Sequence, residues 1–132
     1  MRINLRPDQY AVCRLPANAA PPPRPPGGDL LFSITWTAEE MSVVCPAELT
    51  PPGAKVASQW RCLSLQGPLD METVGILSSL SATLAGAGIP VFVLCTYDTD
   101  HILVGSAHLA RALEALRSAG HEVGVRVRRA LR

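Results

Sequence analysis

The chain has almost no net charge: twelve Lys and Arg face eleven Asp and Glu, for a balance of +1. A nucleic-acid partner is therefore not expected, because no large basic field is present. The arginines at 126, 128, 129 and 132 form only a small basic tail. No apolar run approaches the ~20 residues that a membrane-spanning helix needs, and the opening MRINLRPDQY lacks the apolar centre of a secretion signal. A cytoplasmic protein with no membrane partner is expected. Cys13, Cys45, Cys62 and Cys95 form no Cys-x-x-Cys pair. Each falls in an apolar, strand-like run, so buried reduced thiols are expected and no metal site. Serine and cysteine nucleophile motifs are missing, and so is a glycine-rich phosphate loop. Gly86-Ala87-Gly88 stands at a helix end rather than a helix start, so it is no dinucleotide loop. No cofactor and no catalytic residue are expected.

What is present is a chain of 132 residues, 48% hydrophobic. It is long enough to bury a core, as one domain or two very small ones. Tyr10 to Leu15 alternates as a strand. Residues 16–29, PANAAPPPRPPGGD, cannot form a regular helix or a central strand, because proline fixes φ and removes the N–H donor. They read as a partly polyproline-like surface loop, and a PxxP-type ligand is the other reading. Residues 31–37 alternate cleanly, with Phe32, Ile34 and Trp36 on one side. A turn at Ala38-Glu39-Glu40 returns the chain as residues 41–45. A short helix is expected around 53–58.

From residue 59 the pattern becomes regular. Residues 60–66 read as a strand. Asp70 is a good helix N-cap, and Val74, Leu77, Leu80 and Leu84 follow at helical spacing. Gly86, Gly88 and Pro90 end that helix. Residues 91–95 are continuously apolar, as in a central strand, and 101–104 form the next strand. Ser106 can cap a second helix with Leu109, Ala112, Leu113 and Leu116 inward, and Gly120 ends it. Val123, Val125 and Val127 then alternate with Gly124, Arg126 and Arg128. Helices are expected near 71–87 and 106–119. The order is βαββαβ, an α+β ferredoxin-like sheet with two helices on one face.

Two places carry candidate ligand chemistry. The turn Gly67-Pro68-Leu69-Asp70, with Thr73 and Val74 behind it, leads into a helix start whose free N–H groups suit a carboxylate. An Asp70 carboxylate acting as the cap competes for those donors, so an ordinary capped helix is the other reading. Asp98 and Asp100 lie two residues apart. An extended backbone puts both carboxylates on one face, whereas a turn splays them. Together the two places suit a zwitterion better than a reaction. His101, beside Asp100, reads as a solvent-facing strand residue.

The runs GPLDMETVGILSSL (67–80), GIPVF (88–92) and TYDTDHILV (96–104) resemble the ACT-type regulatory domains. Within them, the likeness is to the branch that holds bacterial ACT domain-containing proteins and the CASTOR arginine sensors. The resemblance implies an ACT domain over 59–132, preceded by a degenerate, β-rich ACT-like half over 1–58. It implies a non-catalytic regulatory role, with an amino acid bound at an interface between ACT units and a homodimer in solution. It makes Asp100 the residue that meets a ligand's cationic group, with Thr96 and Tyr97 lining the site. A structural dimerisation module without ligand is the alternative, and a small acylphosphatase-like enzyme a further one. The latter has little support, since Asn4 and Asn18 are the only asparagines.

Overall fold

The computed structural model describes residues 1–70 and 72–125. The expected continuation of the last strand to 127 and the basic tail lie outside the described residues. The described residues form two compact units, one made of residues 1–7 with 60–125, the other of residues 8–59.

The first unit is ferredoxin-like. Its elements are β4 (Lys55–Leu65), α1 (Ile76–Gly86), β5 (Val91–Cys95), β6 (Asp100–Gly105), α2 (Leu109–Ser118) and β7 (Glu122–Val125). The first strand of the chain, β1 (Arg2–Leu15), lends its opening residues to the same sheet. β6 pairs antiparallel with both β4 and β5. Residues 2–5 of β1 lie between β4 and β7, running parallel to β7. Ile3, Leu5, Leu63, Leu65, Ile102 and Val104 from the strands meet Leu80, Leu84, Ala112 and Leu116 from the helices in one core. Both helices thus cover the same sheet face, as the order βαββαβ requires. Arg111 on α2 donates to the Ala87 carbonyl at 2.7 Å and satisfies an orphan acceptor at the end of α1.

The first helix begins later than the cap pattern indicates. It starts at Ile76, behind Gly75 at φ 87°, and no side chain caps it. Asp70 is not its N-cap. Its carboxylate accepts from the Glu72 N–H at 2.9 Å, and the Thr73 N–H bonds the Asp70 carbonyl at 3.0 Å. Aspartate bonds just as readily to the backbone two residues on as to a helix start, and here the local turn prevails. The second helix is preceded by a 3₁₀ turn, Ser106–His108, with His108 rather than Ser106 at its N-cap position.

In the second unit, β1 from Tyr10 to Leu15 pairs antiparallel with β3 (Met41–Pro46), which pairs antiparallel with β2 (Ser33–Trp36). The turn between β2 and β3 is closed by Thr37, whose hydroxyl accepts from the N–H groups of Glu39 and Glu40. Ala11, Cys13, Leu15, Met41, Val43 and Cys45 form the core, with Phe32 and Ile34 against it. The helix expected around 53–58 is not there: the chain enters β4 at Lys55, and the helical turn of this unit is a 3₁₀ turn at Ala47–Leu49.

Candidate ligand site

Two loops of the first unit are fastened to each other. The Leu69 N–H donates to the Asp98 carbonyl at 2.7 Å. Thr99 Oγ1 donates to the Leu65 carbonyl at 2.9 Å. Thr96 closes its own turn, donating from backbone N–H and from Oγ1 to the Thr99 carbonyl. Gly67 sits where a Cβ would lie 3.1 Å from both the Asp98 carbonyl oxygen and Thr99 Cβ. Glycine there serves the close approach of the loops rather than a ligand.

Above this junction opens a cleft of about 330 Å³. Leu69, Asp70, Thr73, Thr96, Tyr97, Asp98 and Asp100 line it, bringing together seven residues singled out from the sequence. Gly67, Pro68 and Val74 do not line it. Val74 is 89% exposed and borders a separate apolar hollow with Met1, Leu80 and His121. Sequence reasoning missed Gly75, Ile76, Leu77, Ser78 and Thr99, which complete the lining. A signal existed in Val-Gly-Ile-Leu-Ser-Ser, where glycine directly precedes an apolar helical run; glycine is an accepted N-cap.

The cleft has two chemically distinct sides. On one, Gly75, Ile76, Leu77 and Ser78 at the start of α1 line the cleft; no side chain caps this end, so its first-turn N–H groups lack an intrahelical partner and the partial positive charge of the helix end lies there. On the other stand the carboxylates of Asp98 and Asp100, with Asp70 also in the lining. Among the described residues, no Lys, Arg or His lines the cleft. Asp100 lies opposite Cys95 in the β5–β6 register. Its hydrogen bond with the Cys95 thiol is the main cause holding that thiol above its usual pKa, so the thiol stays protonated and donates. Among the described residues no group of three or more His, Cys, Asp or Glu could hold a metal ion, and no helix is long and apolar enough to cross a membrane.

His101 does not face solvent. It is 5% exposed, and its Nδ1 lies 2.7 Å from Ser64 Oγ, which accepts from Arg6 Nε at 2.8 Å. β6 is an inner strand, paired with β4 on one side and β5 on the other, and its residues 101–104 are buried on both faces. His101 is thus structural, while Asp100, one residue earlier, reaches the cleft.

The ferredoxin-like fold is that of ACT domains, and an ACT domain family matches residues 55–118. A second family, described as an N-terminal domain, matches residues 8–52. The solved structure of protein Atu0741 from Agrobacterium tumefaciens is 33% identical, covering 99% of this chain and 97% of its own, with a TM-score of 0.85. The chain belongs to the family of that protein, and its residues 55–118 match an ACT domain. The regulatory subunit of aspartate kinase from Thermus thermophilus, in a ligand-free form, shares the fold at 12% identity and a TM-score of 0.60, covering 89% of this chain and 97% of its own. Aspartokinase alpha and beta subunits do so at 13% identity and a TM-score of 0.62, covering 90% and 97%.

Proposed function

We propose that the protein is a non-catalytic regulatory protein whose ACT unit binds an amino acid in the cleft between the start of α1 and the Thr96–Asp100 segment. The observation that carries this reading is the polarity of the cleft. The uncapped first turn of α1 offers N–H donors to an α-carboxylate. Asp98 and Asp100 offer charge-assisted acceptors to an amino or guanidinium group. With Asp70, Asp98 and Asp100 and no cation among the described lining residues, a basic amino acid is favoured and an acidic one is repelled. The likeness of residues 96–101 to the arginine sensors points the same way. Tyr97 is 80% exposed beside the cleft, which supports a site covered by the ACT unit of a second copy in a homodimer. Regulation then follows from ligand affinity that differs between two assembly states.

Calorimetric titration with the common amino acids tests the reading. Saturable binding of a basic amino acid, lost in Asp100→Ala while the free protein melts at an unchanged temperature, is the expected result. Binding of acidic amino acids alone, or a wild-type affinity in Asp100→Ala, refutes the site. Silence across the whole set moves the assignment to a structural dimerisation module.

A further inference from the structure

The proline run of the second unit is absorbed neither by the core nor by the ligand cleft. Residues 20–26, Ala-Pro-Pro-Pro-Arg-Pro-Pro, are each a proline or the residue before one. Proline locks φ near the polyproline II value, and the residue before it is driven out of the helical region. Each of seven successive positions is thus either fixed at φ or kept out of the helical region, and neither helix nor strand is found there. Such a segment has three residues per turn. Burial repeats with that period: Ala19, Pro22 and Pro25 are half-buried, whereas Ala20, Pro21, Pro23, Arg24 and Pro26 are exposed. The half-buried edge is the anchor. Ala19 packs on the core of its unit, and Pro22 and Pro25, with part of the otherwise exposed Arg24, line a hollow shared with Leu30, Phe32 and Ile34. Gly27, at φ 125°, ends the run.

Two proline edges are therefore held out to solvent over roughly 19 Å. Between them stands Arg24, exposed and with no hydrogen bond or ion pair among the described residues. A plain surface connection needs only to be polar and of sufficient length; it does not need a stiff apolar ridge pinned from below. We propose that residues 20–26 are a docking ridge for a protein domain with an aromatic-lined polyproline groove and an acidic residue at its rim. The ridge loses little conformational entropy on binding, because it is already ordered. Prolines 21, 23 and 26 supply the apolar contacts, and Arg24 supplies a charge-assisted hydrogen bond that sets the direction of the chain in the groove.

The full-length protein is titrated by calorimetry with purified SH3, WW and EVH1 domains, the fold families that carry such grooves. At least one is expected to bind saturably. Binding should weaken about tenfold or more in Arg24→Glu, and again in the Pro23→Ala, Pro26→Ala variant. These positions are exposed, so the variants should keep the melting temperature of the parent. Asp100→Ala, in the other unit, should bind as the parent does. Absence of binding by all three domains overturns the proposal, as does binding that survives both sets of substitutions.

Discussion

At 2.7 Å from His101 Nδ1 and 2.8 Å from Arg6 Nε, the Ser64 hydroxyl serves two buried groups at once. A guanidinium can only donate, so the hydroxyl accepts from Arg6, and it also lies within bonding distance of His101 Nδ1 and, at 3.8 Å, of Cys62 Sγ. Ser64→Ala takes away an acceptor and a donor together. It should destabilise the protein by about 1–3 kcal/mol in chemical denaturation, and a loss within error of zero would remove the role assigned to this chain of bonds. The thiols give a second residue-scale expectation. Burial, the main cause in each case, pushes Cys45 up to about 12 and Cys62 up to about 11 from an ordinary 9.0. Because the folded values are raised, the stabilisation from the protonated thiols is complete below pH 9. It is lost as the pH climbs from 9 toward 11 and 12. Denaturation midpoints should therefore fall above pH 9, and the fall should be shallower in the Cys45→Ala, Cys62→Ala variant. Equal slopes for parent and variant would count against it.

At the scale of elements, the strands and helices were legible where one side chain in two, or one face of a helix, met the core. β2 was read from its alternation and Leu80 and Leu84 mark the buried stripe of α1; β5 was read from its continuous apolar run as a central strand, but it is half-buried and ends the sheet order. The start of α1 was harder to read, because Asp70 satisfies a nearby backbone N–H as well as it would a helix, and Gly75 leaves no side-chain signature. The parallel pairing of residues 2–5 with 122–125 was not legible at all. Nothing local couples strands so far apart in sequence, and the βαββαβ pattern appears complete without residues 2–5. In the ligand site, the two loops could be named from the sequence, but the donor side could not be placed, since it moved with the helix start. The two positions make opposite predictions on substitution. Gly75→Ala forces an L residue to φ 87° and should cost about 1–2 kcal/mol, although open space surrounds the position. Asp70→Ala removes only an exposed turn bond to Glu72 and should cost less. Thermal unfolding of the two variants side by side checks the order, and a larger loss in Asp70→Ala would restore Asp70 as the cap.

For the molecule as a whole, the distribution of charge singles out one flank of the ACT unit. Between residues 73 and 97 there is no charged side chain, and this stretch contains all of α1 and all of β5. α2, by contrast, carries Arg111, Glu114 and Arg117. Among the described residues β5 ends its sheet, bonded to β6 on one side only. Edge strands that stay single are usually blunted by lysine, proline or a bulge. Val-Phe-Val-Leu-Cys has no lysine or proline. An antiparallel partner of the same sequence, centred on Val93, would set Phe92 opposite Leu94 twice over, a favourable apolar cross-strand pair. The proposed homodimer therefore has a specific seam, and the Thr96–Asp100 loop follows directly on that strand, so the same contact would bring a second copy to the mouth of the ligand cleft. Light scattering at high micromolar concentration should return the mass of two chains for the parent and of one chain for Leu94→Lys. The half-buried position of Leu94 lets a lysine reach water from its aliphatic stem, so the variant should stay folded by circular dichroism. A parent that scatters as a single chain rejects the dimer, and a Leu94→Lys variant that keeps the mass of two chains moves the seam away from β5.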